Sequence, residues 1–380
     1  YANAATIELC GQMLLDSGNI QEKDAEYAAK TQRRRGREEE PPEPLYRMED
    51  AKRALEFFKG VPLAGRYEMA DGIAVTRFEA GHMLGSTSVL MEAEGKRLIF
   101  SGDVGRKNLP IIRDPEPMEP ADYLIMESTY GNRFHDPMAP VADKLVGIVT
   151  RTCARGGKII VPAFAVGRTQ QLVLLLHELT LQGRLPKIPI YVDSPLAVNV
   201  TSVFRHHPEC FDEETNRFLQ NGDDPFGFQR LQYIRDANES RKLNDLRGSF
   251  MVISASGMAE AGRVLHHLRN NVEDPRNTVL ITGFQAENTL GRKIVEKMPS
   301  VPIFGELFRL RAEVAKINEL SGHADQGELI EWMRPIVPGL KTVFLVHGEP
   351  ASMEPLAAVI RETYGVNVVI PKRGDQFELA

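Results

Sequence analysis

The chain has 380 residues, 42% of them apolar, enough to bury two ordinary cores, since single domains usually hold roughly 100 to 200 residues. Its formal charge of −6 excludes a general attraction to polyanions, so any nucleic-acid contact has to come from a local basic cleft. Three cysteines (Cys10, Cys153, Cys210) in no CxxC pair exclude a disulfide framework and a cysteine zinc site, and no apolar run approaches the roughly 18 residues that cross a bilayer.

From Ile7 to Ser17 and from Glu22 to Lys30 the pattern predicts two helices, followed by a charged loop from Arg33 to Pro42. The basic triplet Arg33-Arg34-Arg35 stands beside the acidic triplet Glu38-Glu39-Glu40, which favours a self-neutralising solvated loop over an RNA contact. Met48 to Lys59 predicts a further helix. Short strands follow at Ile73–Phe78, Ser88–Ala93, Arg97–Phe100 and Tyr123–Met126, a mostly antiparallel sheet with polar loops at its strand ends.

Beyond Pro137 the rhythm changes to helix (Val141–Ala154), strand (Lys158–Val161), helix (Thr169–Leu181) and strand (Ile188–Val192), the alternation of a parallel sheet with crossover helices. It returns in Phe250–Ile253, Ala261–Asn270, Thr278–Ile281 and Leu290–Lys297, after a polar, irregular stretch from Pro208 to Arg247. The last region predicts helix (Gln326–Ile336), strand (Thr342–Val346), helix (Ser352–Thr363) and strand (Asn367–Ile370), which matches the first region better than the second. An α/β domain spanning residues 134–320 is therefore expected as an insertion into one domain made of residues 1–133 and 321–380.

Three loops after predicted strands each hold a metal-competent side chain among small residues: Gly81-His82-Met83-Leu84-Gly85-Ser86, Ser101-Gly102-Asp103-Val104-Gly105 and Leu345-Val346-His347-Gly348-Glu349. Zinc takes imidazole nitrogen and carboxylate oxygen, and one carboxylate can bridge two metals. Taken singly, a His or Asp in a glycine loop more often caps or turns the chain; it is their joint placement at strand ends that points to a metal. In Ser321-Gly322-His323-Ala324-Asp325 the aspartate can cap the next helix and leave His323 free to protonate a leaving alkoxide. Glu127, directly after a strand in Glu127-Ser128-Thr129-Tyr130-Gly131, is the candidate to hold His323 in one tautomer, and His135 reads as structural.

Together, Ala80-Gly81-His82, Ser101-Gly102-Asp103, Glu127-Ser128-Thr129-Tyr130-Gly131, Ser321-Gly322-His323-Ala324-Asp325 and Val346-His347-Gly348-Glu349 resemble, in order, the motifs of the β-CASP branch of the metallo-β-lactamase superfamily. The likeness continues through Val161-Pro162-Ala163-Phe164-Ala165-Val166-Gly167-Arg168, Tyr191-Val192-Asp193-Ser194-Pro195, Ala255-Ser256-Gly257-Met258 and Thr289-Leu290-Gly291-Arg292, and so covers essentially the whole chain. It implies an α/β fold: a metallo-β-lactamase αββα sandwich, incomplete at its N terminus, with an inserted parallel-sheet β-CASP domain.

The resemblance also implies that His82 binds one zinc, that Asp103 bridges two, that His347 binds the other, and that Glu127 and His323 form the acid pair, with Asp103 counted among the catalytic groups. RNA-processing members keep a histidine where His347 stands, which implies RNA rather than DNA as substrate; the insert is expected to clamp a single strand against the metal domain, with hydrolysis, internal or from a 5′ end, serving RNA processing or decay. The compact bacterial and archaeal relatives of the cleavage and polyadenylation endonuclease are the nearest branch, with homodimers common in it. Arg168, Arg263 and Arg292, at predicted strand-to-helix junctions, are candidate phosphate contacts, together with Ser256 and Ser321.

One departure is large. The family's HxHxDH signature is missing, and none of the nine histidines forms an H-x-H. With no Met at its start, the chain is expected to be a fragment holding three of about seven ligands, binding zinc weakly and cutting nothing. The alternative is a catalytically dead, metal-free RNA-binding or scaffold subunit of the same family. The reduced thiols, and a start without signal-peptide layout, lead to a cytoplasmic location without membrane contact.

Overall fold

In the computed structural model, which describes residues 1–34, 42–136 and 140–379, helix α1 (Ala4–Arg34) runs unbroken where two helices are expected. Gly18 explains the difference. Glycine inside a helix costs about 1 kcal/mol relative to alanine, but here it lets α2 (Met48–Leu55) cross closely. A Cβ on Gly18 would lie 2.8 Å from both Met48 Cα and N. The charged loop expected after α1 lies for the most part outside the described residues, and α2 stops short of the expected Lys59.

Strands β1 (Gly65–Ala70), β2 (Ile73–Glu79), β3 (Thr87–Ala93) and β4 (Lys96–Phe100) form an antiparallel meander, and β5 (Tyr123–Glu127) joins β4 in parallel. Strand β1, not among the expected strands, is an edge strand that alternates between exposed and half-buried residues and buries none.

The next stretch supplies α3 (Val141–Ala154), β6 (Ile159–Pro162), α4 (Arg168–Leu181), β7 (Ile190–Asp193) and α5 (Pro195–His206). The stretch expected to be irregular instead holds α6 (Glu213–Gln220), β8 (Leu231–Ile234) and α7 (Ala237–Lys242). Asp212 and Asp236 cap the two helices, and β8, with one buried residue in four, is an edge strand without an apolar run. Then come β9 (Met251–Ser254), α8 (Arg263–Asn271), β10 (Thr278–Ile281), α9 (Leu290–Val295), the hairpin β11 (Ser300–Ile303) and β12 (Glu306–Arg309), and β13 (Glu313–Lys316).

All six strands of the second sheet, in the order β13-β10-β6-β9-β7-β8, are parallel. Its faces carry two apolar clusters, one around Leu172, Phe204 and Ile253, the other around Val252, Leu268 and Ile294.

The chain then returns to the first sheet with α10 (Gln326–Met333), β14 (Thr342–Val346), α11 (Pro350–Tyr364) and β15 (Asn367–Val369). Strand β14 pairs in parallel with β5, completing the order β1-β2-β3-β4-β5-β14-β15, so this sheet is half antiparallel and half parallel. Helices α10 and α11 cover one face through Leu329, Trp332, Leu356 and Ile360. No described helix is long and apolar enough to cross a membrane, and the three cysteines are free.

Candidate metal centre

Strands β2, β4, β5 and β14 all run the same way, because β3 lies antiparallel between β2 and β4 while β4, β5 and β14 are parallel neighbours. Their C-terminal ends share one sheet edge. At that edge stand Glu127, the last residue of β5, and the loops that hold His82, Asp103 and His347.

The loops are drawn together by backbone contacts that only glycine allows. A Cβ on Gly105 would lie 1.9 Å from the Gly81 carbonyl oxygen, and one on Gly348 would lie 2.4 Å from Ser128 Oγ. The Gly105 N–H donates to the Ala80 carbonyl at 2.7 Å. His347 itself has φ of 50°, a left-handed conformation that a residue with a Cβ adopts at a cost. Its carbonyl is held by the Ser128 N–H at 3.3 Å and the Thr129 hydroxyl at 3.2 Å.

Asp103 lies between two imidazoles. Its Oδ2 is 3.8 Å from His82 Nε2 and its Oδ1 is 3.3 Å from His347 Nε2. Two donors on one tetrahedral zinc with bonds of about 2.0–2.1 Å sit roughly 3.3 Å apart, so these donors fit one metal on each side of the carboxylate. His82 Nδ1 donates to the Gly322 carbonyl at 3.2 Å, which leaves the Nε2 lone pair facing Asp103. Burial and the neighbouring His323 push the His82 pKa down, toward the neutral form that ligates metal.

Beside this group, Glu127 closes β5 and is 1% exposed. Both its oxygens lie 3.1 Å from His323 Nδ1, and Oε1 also accepts the Val104 N–H at 2.7 Å. Burial alone would raise the Glu127 pKa and lower that of His323. Their mutual hydrogen bond and attraction outweigh it, so the carboxyl titrates below its ordinary value and the imidazole above. Both shifts favour the ion pair over the neutral one, with His323 Nδ1–H facing Glu127 and Nε2 on the other side of the ring. His82, Asp103 and His323 offer ligand atoms all within 4.8 Å of one another, and the His323 ring centroid is 5.9 Å from that of His347.

The His323 loop is fixed from three sides. Ala324 N–H donates to the Val104 carbonyl at 2.8 Å, Arg106 N–H to that of Gly322 at 3.2 Å, and His135 Nε2–H to that of His323 at 3.0 Å. Asp325 forms the capping box expected at the start of α10, with reciprocal bonds of 2.9 Å to Glu328, and its second oxygen accepts the His135 N–H at 2.7 Å.

The other candidates are distributed differently. Ser321 Oγ bonds the Tyr130 hydroxyl at 2.9 Å, and Tyr130 meets His323 edge-on at 6.1 Å. Arg292 lines a cavity of about 380 Å³ with Tyr130, Arg133, Phe134 and Phe284, and pairs with Glu296 at 2.6 Å. Ser256 Oγ accepts the Glu260 N–H at 3.1 Å in the turn after β9. The Arg263 guanidinium is committed to Asp193 at 2.7 Å and to the carbonyls of Ile234 and Arg235, so a phosphate would have to displace Asp193. Arg168 is buried at the first turn of α4. Two contributors had no legible role in the sequence: Tyr130, visible only as a motif letter, and the Gly322 carbonyl, whose partner no residue identity reveals.

Residues 169–294 match the Beta-Casp domain, and residues 308–371 match the Zn-dependent metallo-hydrolase RNA specificity domain. The chain is 35% identical over 318 residues to a ribonuclease of Thermus thermophilus, covering 84% of this chain and 72% of that one. It is 31% identical over 335 residues to an RNase J-like protein of Methanocaldococcus jannaschii, covering 87% and 76%. A transcription termination factor of Pyrococcus horikoshii is 28% identical over 354 residues, and the chain spans 53% of its length.

Proposed function

The chain belongs to the β-CASP family of metallo-β-lactamase-type hydrolases, and from that premise we propose that it carries much of the active site of a zinc-dependent ribonuclease acting on single-stranded RNA in RNA processing or decay. The observation that carries this reading is the Asp103 carboxylate shared between His82 and His347, with the Glu127–His323 pair next to it. In this reading His82 serves one metal ion, His347 the other and Asp103 both. Zinc held there would supply an activated water and would offset charge on the phosphoryl oxygens.

The chain's own residues account for the proton. Hydrolysis joins the water oxygen to phosphorus, breaks the bond to a ribose oxygen, and requires a proton on that departing oxygen. His323, kept protonated by buried Glu127, is the donor, with solvent restoring its proton afterwards. Gly322 holds His82 through its carbonyl, and His135 holds the His323 backbone, so ligand and acid are positioned by the same loop. Arg292, Ser256 and Ser321 are RNA contacts in this reading, Arg263 is a strut bound to Asp193, and the protein works in the cytoplasm as a monomer or homodimer.

We further propose that these 380 residues alone hold zinc weakly and cut nothing, because His82, Asp103 and His347 are three donors where two zinc ions take about seven. Cleavage of a single-stranded RNA by a form with the full ligand set tests the mechanism. Replacing His323 with Ala should slow the cleavage by about 10²-fold or more while zinc content stays at the parent level. A near-parent rate with zinc retained removes His323 as the acid.

A further inference from the structure

Among the described residues three arginines are buried to more than nine-tenths, and they are compensated differently. Arg106, 7% exposed, donates to the carbonyls of Glu319 and Asp136 and has Glu328 Oε1 at 3.7 Å. Arg77, 8% exposed, lacks an acceptor at Nε but donates to the Pro62 carbonyl and lies over the Tyr67 ring at 5.3 Å. Arg168, also 8% exposed, has neither device: among the described residues no carboxylate comes within ion-pair range and no ring lies under it.

Only Nη1 of Arg168 has an acceptor, Gln171 Oε1 at 2.8 Å, which leaves the Nε–Nη2 edge of the guanidinium unmatched. A charge kept out of water without a counter-charge is unfavourable, and burial pushes the Arg168 pKa down to about 10.

Its surroundings say what is missing. A Cβ on Gly283 would come 4.0 Å from Arg168 Nε, and Gly283 lines the cavity of about 380 Å³ together with Tyr130, His135 and Phe284. Tyr130 and His323 both lie close enough to feel the Arg168 charge. The free edge, with two N–H groups side by side, matches two oxygens of one phosphate. Sequence position alone made Arg168 one of three candidate arginines; Arg263 and Arg292 turn out to have carboxylate partners.

We infer that Arg168, directly behind the Gly283 wall of this cavity, forms an anion subsite that takes a phosphate group of the RNA. The identity of the phosphate carrier rests on the ribonuclease reading; the anion site itself rests on the unmatched guanidinium.

The test uses the 380-residue chain in chelator, so that neither metal nor cleavage enters. Melting temperatures of the parent, Arg168→Met and Arg168→Lys are measured with and without inorganic phosphate, and binding of decauridylate bearing a 5′-hydroxyl or a 5′-phosphate is followed by anisotropy. Without phosphate, Arg168→Met should melt at or above the parent, having lost an uncompensated charge; added phosphate should raise the melting temperature of the parent and leave that variant unmoved. The lysine variant should keep part of the rise.

Decauridylate affinity should fall about tenfold in Arg168→Met, with a log–log salt slope shallower by about 0.7. A loss confined to the 5′-phosphorylated strand assigns the terminal phosphate, and a loss with both assigns an internal one. A methionine variant that melts below the parent and responds to phosphate as the parent does makes Arg168 a strut and overturns the inference. So does a parent whose melting temperature phosphate does not raise, whether or not the variant folds. A parent that responds to phosphate but binds neither strand would remove the RNA reading and leave the anion site standing.

Discussion

Strands β6, β7, β9 and β10 of the inserted sheet are buried at every position, whereas β3 and β4 of the metal-side sheet bury Leu90 and Ile99 but leave the residues between them half-buried or exposed. The face turned away from α10 and α11 nevertheless carries, beside Arg77, the apolar Val75, Val89, Met91, Leu98, Ile125 and Phe100, the last 37% exposed. A sheet face meant for water alternates to polar residues. Part of this face is crossed by the chain end, where Phe377 packs 5.1 Å from Phe344 and Lys96 Nζ donates to the Leu379 carbonyl. The insert thus closes its own core on both faces, while the metal side presents a second apolar face of the kind that pairs with another sheet in an αββα sandwich.

Stability should divide along that line. Leu172→Ala, in the fully buried core of the insert, is expected to cost about 2–5 kcal/mol in urea unfolding, and Val89→Ala on the open face less than about 1 kcal/mol. Equal losses at the two sites would break the comparison.

Two buried carboxylates, one in each half, also differ in how they are matched. Asp193 of the insert is fully matched by Ser240, Arg263 and His267, which against the effect of burial hold its pKa low. Glu79, at the end of β2, has an Oε2 without a hydrogen bond and Arg113 only at 3.7 Å, and burial pushes it up from 4.5 to about 7. The folded state therefore keeps a proton that the unfolded state loses near pH 4.5, so stability falls as pH rises from about 4.5 to about 7. Glu79→Gln should remove that slope, gaining up to about 3 kcal/mol over the parent above pH 7 and little at pH 4. Parallel stability–pH curves for the two proteins would show that Glu79 is ionised throughout.

The smallest effect belongs to the open face. Phe100→Lys should leave unfolding within about 1 kcal/mol of the parent yet lower the binding of a hydrophobic dye. Unchanged dye binding would mean that the exposed apolar surface lies elsewhere.

Much of this organisation was legible in the residues. The insert's strands announced themselves as short unbroken apolar runs, Ile159–Val161 and Met251–Ile253, and the return to the first sheet was visible in Thr342–Val346. The edge strands β8 and β1 were not, since they lack an apolar run and bury one residue and none, and α1 continues through Gly18 because of a tertiary contact with Met48. At the site, His82, Asp103, Glu127, His323 and His347 were readable as side chains at loop starts. The backbone carbonyl that orients His82 and the isolation of Arg168 were not, since both depend on what faces them across the fold.

The Asp103 carboxylate as the shared metal ligand is the centre of this account, and zinc titration by calorimetry tests it most directly, comparing the chain with Asp103→Asn and His347→Ala. Weak but measurable zinc binding by the parent, lost in Asp103→Asn and reduced in His347→Ala, is the predicted result. Zinc bound equally well by Asp103→Asn and the parent would contradict it.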